Sequence, residues 1–276
     1  MIRKIYAAGL TLLLLTGVYN LKAQTKNPLA DTIPLTIVPA KPATSRYTFG
    51  QPAPFRSTIA GWAVPTAMIG YGFLALHTPA LRELNETTRD NWKIKDERHK
   101  IKIDDYIQYT PFAAVYLLNA VGIHGKHNLR DRTMILGISA LITAGTIQGL
   151  KRITDEERPD GTNRMSFPSG HTATAFAAAE YLRQEYRDVS PWYGIGGYAV
   201  ATATGALRIY NNRHWLSDVV AGAGIGILST KAAYWMYPWV QRKLFKPNSH
   251  AATTLLMPYY NAEFRSAGLS LVIYPR

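Results

Sequence analysis

From Ser57 to Leu81 the chain runs for 25 residues without a charged side chain, His77 being neutral. Uncharged runs recur at 106–125, 133–150 and 189–207. Two more apolar stretches, 172–187 and 217–239, carry only a few charges, among them Glu180, Arg183 and Glu185 in the first and Asp218 and Lys231 in the second. Runs this long exceed ordinary strands, and their Ala, Leu and Gly content suits helices. The pattern predicts an all-α protein built on a six-helix bundle core. Small residues at Gly222 and Gly226, four apart, would let two helices approach closely. Gly222-x-Gly224-x-Gly226 is not a nucleotide motif, because no strand precedes it. Several runs could span a bilayer, yet the mean hydropathy of −0.09 is low for a membrane bundle. That conflict makes the sidedness of any site the central question.

The flanks differ from the body. Residues 1–23 carry Arg3 and Lys4, a short apolar run and a closing Ala23, which reads as a secretory signal. Residues 24–56 hold six prolines, Pro28, Pro34, Pro39, Pro42, Pro52 and Pro54, and predict a disordered, extended leader. The helical domain is expected at 57–240. The tail at 241–276 alternates apolar and polar residues on either side of 261–266, and predicts a C-terminal β-hairpin. Between the first two apolar runs, Arg82 to Asp105 mixes charges of both signs, as a solvated helix or loop does. The 31 Lys and Arg against 18 Asp and Glu give a net charge of +13. On an exported chain, that excess suits anionic lipid surfaces or phosphate esters better than nucleic acid. Cysteine is absent, which excludes disulfides, thiolate metal sites and a thiol nucleophile.

Three short motifs sit at the ends of apolar runs. Lys151-x6-Arg158-Pro159 closes one helix and opens a loop. Phe167-Pro168-Ser169-Gly170-His171-Thr172 looks like a helix start, whose free N–H groups and dipole attract anions. Arg208-x5-His214-x3-Asp218 ends one helix and begins another, with the carboxylate four residues from the imidazole it would orient. Taken singly, each has a plain structural explanation: a helix cap, a surface ion pair, a chance Arg-Pro. Together they supply three fixed cations, a helix N-terminus with a hydroxyl, and two histidines of which one has a carboxylate partner. Hydrolysis of a phosphate monoester needs that inventory. Cations and N–H groups stabilise the equatorial oxygens, a nucleophile attacks in line, and an acid protonates the leaving oxygen. His214, paired with Asp218, suits the nucleophile; His171, at the positive end of a helix, suits the acid. His124 and His127, three apart in a loop, are expected to be solvent-exposed rather than metal-binding.

On these residues the chain resembles the type 2 phosphatidic acid phosphatase superfamily, which also includes bacterial acid phosphatases and vanadium haloperoxidases. Its pattern is Lys-x6-Arg-Pro, Pro-Ser-Gly-His and Ser-Arg-x5-His-x3-Asp. All three parts are present once and in order; one departure is Leu207, where the pattern has Ser. The resemblance implies a phosphohistidine at His214, oriented by Asp218, with His171 as general acid. Lys151, Arg158, Ser169, Gly170 and Arg208 would hold the phosphate, with no cofactor and no metal.

The expected activity is that of a phosphoric monoester hydrolase acting on a cell-envelope lipid: lipid A phosphate, phosphatidate or undecaprenyl pyrophosphate. A soluble phosphate ester is the alternative substrate, a vanadate-dependent haloperoxidase the alternative chemistry, and a non-catalytic envelope protein the third class. Expected partners are the phosphorylated substrate and an anionic membrane surface. The expected location is the cell envelope, with export to the periplasm and a membrane-associated or integral body. A working signal, three spans before Lys151 and an external site are mutually incompatible, because each span flips the side. A compact exported domain resolves the conflict one way, and a non-crossing segment another.

Overall fold

The computed structural model describes residue 55, residues 57–95 and 100–245, and the backbone of two strands at 253–261 and 266–274. The expected signal at 1–23, and the leader apart from Phe55, lie outside the described residues. Eight helices occur among the described residues. They are α1 (Ile59–His77), α2 (Pro79–Trp92), α3 (Asp104–Ile107), α4 (Thr110–Ala120), α5 (Leu129–Thr154), α6 (Gly170–Tyr186), α7 (Pro191–Tyr210) and α8 (Leu216–Leu244). The six apolar stretches fall largely within α1, α4, α5, α6, α7 and α8, and the charged stretch contributes α2 and α3. Thr253–Asn261 (β1) pairs antiparallel with Ser266–Tyr274 (β2), with Met257 opposite Ser270.

The helices begin where the sequence supplies caps. Thr58 Oγ1 accepts the Gly61 N–H at 3.1 Å before α1, and Asn128 Oδ1 accepts the Asp131 N–H at 2.9 Å before α5. Ser190 precedes α7, with Pro191 as its first residue, where a missing N–H costs nothing. α6 and α8 are the central pair, with α7, α5, α4 and α1 packed around them. Their close approach depends on glycine: a Cβ on Gly222 would lie 2.6 Å from Ser169 O, and one on Gly226 would overlap Ala173 O. The main core cluster, Val115, Ile135, Tyr181, Leu182, Tyr186, Ala233, Tyr234 and Tyr237, fills the half of the bundle where α4 and α6 end and α5 begins.

The chain runs up and down, so helix ends segregate. At one end meet the starts of α6 and α8, joined by Ser169 N–H to Asp218 O at 3.0 Å. The end of α7 and the start of α4 join them there through Arg208 and α3. At the opposite end α6 meets the start of α5 through Glu185 and His127, and α8 reaches the start of α1 through Lys231 and Ser57. α2 is fastened across the first end by Asn85, which exchanges two hydrogen bonds with Ser217 at 2.9 and 3.0 Å.

α1 and α5 are long and apolar enough to cross a membrane. Only 22% of the apolar window of each is buried inside the protein. A core helix of a water-soluble bundle would be mostly buried. Leu74, Leu141 and Ile153 instead expose 63%, 76% and 78% of their surface.

Candidate functional site

Four helix ends and the loop at 155–169 bring the three motifs together. Lys151 leaves the last turn of α5 and is buried; its Nζ donates to the carbonyls of Met165 and Ser166. α5 stops at Asp155, which takes the left-handed conformation (φ 47°) and turns the chain into the loop that carries Arg158. Arg208 leaves the last turn of α7, buried, and its Nη1 donates to Asp104 Oδ2 at 2.7 Å. His214 lies in the short turn before α8 and is 2% exposed. Its Nδ1 faces Asp218 Oδ2 at 3.3 Å. The same oxygen accepts the Trp215 N–H at 3.0 Å and the Ser166 hydroxyl. The Asp218 carboxylate therefore fixes the imidazole and caps α8 at once, and leaves Nε2 of His214 as the nitrogen free to react.

Ser169 behaves differently from its neighbours. Its hydroxyl is fully buried, pairs with Thr172 Oγ1 at 2.9 Å and caps α6 by accepting the Thr172 N–H. Its side chain thus builds the anion-attracting helix start, whose free donors are the first-turn N–H groups beginning at Gly170. His171 follows on the first turn of α6, partly exposed, with Nε2 2.9 Å from Asp105 Oδ1.

Charge is unbalanced here. Lys151, Arg158 and Arg208 face two buried carboxylates, Asp218 and, beneath Arg208, Asp104. Among the described residues Arg158 Nε, Arg208 Nε and Asp218 Oδ1 are buried without a hydrogen-bond partner. Unpartnered buried donors are costly. Arg132 Nε and Nη1 at the other end share that state, but those of Arg158 and Arg208 lie beside His214, where an anion would complete them. Burial first, then the Arg208, Lys151 and Arg158 charges, hold the His214 imidazolium well below its usual range. The imidazole is therefore neutral, as a nucleophile must be. Burial and Arg208 also lower His171, against the opposing pull of Asp105 and Asp104. Among the described residues no group of three His, Asp or Glu side chains gathers as a metal site.

The cradle opens onto an apolar cleft of about 540 Å³ between α4, α5 and α6. Phe112, Leu136, Ala140, Ala144 and Ile147 line it, Tyr109 flanks it, and Gly170 and His171 close its inner end. A second cavity, about 590 Å³, lies at the opposite end beside Glu180, Arg183 and Lys231, whose charges satisfy one another.

Sequence reasoning missed two groups. Asp104 and Asp105 belong to a stretch expected to be solvated, yet Asp104 is 1% exposed beneath Arg208. Its available signal was an acidic pair placed directly before an uncharged run. The second is Ser166, whose hydroxyl supports Asp218 across 52 residues of sequence. The expectation that His124 and His127 are both exposed is corrected: His124 is exposed, but His127 is buried, with Nδ1 2.7 Å from Glu185 Oε1. The buried Glu185 carboxylate accepts from the His127 backbone N–H at 3.0 Å as well as facing its ring, and so draws the histidine into the core.

Residues 132–242 match the PAP2 superfamily. A lipid A 1-phosphatase of Porphyromonas gingivalis is 41% identical over 136 residues, 49% of this chain and 31% of the relative. The match thus spans about a third of that relative's length. Among solved structures, Aquifex aeolicus LpxE is 20% identical with a TM-score of 0.41, covering 54% of this chain and 94% of its own. A transmembrane PAP2-type phosphatidylglycerolphosphate phosphatase from Bacillus subtilis is 18% identical with a TM-score of 0.42, covering 67% and 99%.

Proposed function

We propose that this chain, which carries a PAP2 superfamily domain across residues 132–242, is a lipid phosphatase of the cell envelope, with the phosphate of lipid A as its first candidate substrate. One observation carries the reading. Buried, unpartnered arginine donors surround a neutral histidine, and this cradle opens directly onto an apolar cleft. The cradle fits a phosphate, and the cleft fits the hydrocarbon attached to it. A soluble ester would have no use for the cleft. The similarity to a lipid A 1-phosphatase supports the same substrate class.

The chemistry follows from the positions. Lys151, Arg158, Arg208 and the first N–H groups of α6 neutralise the equatorial oxygens as charge spreads over them. Nε2 of His214 attacks phosphorus, forming a P–N bond while the P–O bond to the lipid breaks. Asp218 holds the Nδ1–H and stabilises the imidazolium that forms. His171 gives its proton to the leaving oxygen. A water then attacks the phosphohistidine, returns a proton to His171, and breaks the P–N bond, freeing inorganic phosphate and His214.

The exposed apolar faces of α1 and α5 support a body embedded in, or lying against, the bilayer. If α1, α4 and α5 all cross, the start of α1 lies on the side opposite the site, so a periplasmic site requires a cytoplasmic Thr58.

The test is a phosphate-release panel on wild type and His214→Ala, using lipid A, phosphatidate, undecaprenyl pyrophosphate and an aryl phosphate. Release from at least one lipid, lost in the variant by about 10³-fold or more, is expected. Release that survives the substitution on every ester contradicts the assignment.

A further inference from the structure

The short helix α3 does something that the hydrolytic inventory does not require. It places two acidic side chains over the cradle, one buried and one half-exposed. Asp104 is fixed by Arg208 Nη1 at 2.7 Å. Its neighbour Asp105 reaches His171 Nε2 at 2.9 Å and lies 3.8 Å from Arg208 Nη1. The Asp105 oxygen therefore sits where a proton from His171 and a charge from Arg208 converge. An ester's leaving oxygen would need that same pair of neighbours.

Resting on the phosphatase reading above, we propose that Asp105 is the positioning residue for the general acid: it holds the Nε2–H of His171 pointed at the leaving-oxygen position until the substrate takes its place. Without it the imidazole has the cleft to swing into, since His171 closes that cleft's inner end. Asp104 is the anchor that makes this possible. Its buried ion pair ties α3 to the end of α7, so Asp105 arrives at one height above the ring. When an ester binds, its oxygen displaces the Asp105 carboxylate, which can turn to the nearby Arg208. The proton moves from Nε2 to the departing alkoxide as the P–O bond breaks, and no other group is consumed.

The charged and titratable groups facing His171 are Asp104 and Asp105 from α3, Arg208 from α7 and His214 before α8, with Tyr109 ahead of α4 in the same cleft. Of these, only the two aspartates favour the protonated ring. Asp105 is half-exposed, so its removal leaves the fold intact.

Two readouts of Asp105→Asn test the proposal in the full-length chain. The first compares leaving groups. An alkyl phosphate such as phosphatidate needs its leaving oxygen protonated, whereas p-nitrophenyl phosphate does not. The expected result is a fall in kcat of roughly ten- to a hundredfold on phosphatidate and less than about threefold on p-nitrophenyl phosphate, with no further loss when His171→Ala is already present. The second is an NMR titration of labelled histidine, which needs no turnover; the His171 resonance should titrate at lower pH in the variant. An equal loss on both esters, an additive loss in the His171→Ala background, or an unmoved titration overturns the proposal. Failure of the wild type to show His214-dependent release would instead sink the phosphatase reading and leave the titration to judge Asp105.

Discussion

The two ends of the bundle handle their buried carboxylates differently. At the end away from the site, Glu180 is fully buried and saturated. Arg183 grips both its oxygens at 2.7 and 2.8 Å, Tyr198 donates at 2.6 Å, Gln184 at 2.7 Å, and Lys231 lies at 3.1 Å. Glu185 is likewise closed off by His127 and Tyr234. At the site end Lys151, Arg158 and Arg208 meet two buried carboxylates, Asp218 and Asp104, and one nitrogen each of Arg158 and Arg208 goes unpartnered. One end uses charge to fasten helices. Arg132 Nε and Nη1 are unpartnered at that end too, but at the site end the unpartnered donors lie beside a histidine–carboxylate pair, where a phosphate would complete them.

That contrast predicts a double dissociation. Lys151→Met should cost about 10²–10³ in kcat/KM, because one cation of the cradle is gone. Its thermal midpoint should hold or rise, since like charges around it are relieved; a large drop in the midpoint would mean that Lys151 is a structural bolt. Glu180→Gln should do the reverse. Breaking a buried pair of this kind costs about 3–5 kcal/mol, read by denaturant unfolding, while kcat of the folded enzyme stays within about twofold of wild type.

A smaller effect should come from the cleft. Ala144→Trp narrows it without touching the cradle, and should raise KM for a lipid roughly tenfold while an aryl phosphate is unaffected. Equal effects on both substrates would remove the cleft from the account. The pH dependence sharpens the contrast further. His214 must be neutral, and its lowered range places the acid limb of kcat/KM well below pH 6.5. His171 must be protonated, and its lowered range places the basic limb below pH 6.5 too. The optimum is therefore acidic, and a plateau reaching above about pH 7 speaks against these roles.

The site was more legible in the sequence than its surroundings. Lys151, Arg158, His171, Arg208, His214 and Asp218 lie within short motifs at helix ends; spacing pairs His214 with Asp218, and the resemblance to a known family implied that the three motifs share one site. Asp104 offered only the weak signal of an acidic pair before an uncharged run, because its partner is 104 residues away and the stretch before it is charged throughout. His127 was misjudged for the same reason, its partner being Glu185 on another helix. The fate of the apolar runs was only half visible. Hydropathy showed that α1 and α5 could span a bilayer, but which faces they bury depends on packing that no local pattern encodes. The absence of cysteine now becomes useful, since single cysteines at Thr58 and Asn212 can report sidedness on an otherwise unreactive chain. If α1, α4 and α5 all cross, the two label from opposite faces of the membrane; labelling from one face means that the body lies against the bilayer.

The most direct test of the central claim is to catch the intermediate. Wild-type protein mixed with ³²P-labelled lipid phosphate and quenched within one turnover should carry label that survives alkali and is lost in acid, as a phosphohistidine does, and peptide mapping should place it on His214. Turnover that leaves no such label, or label on any residue other than His214, would contradict the account.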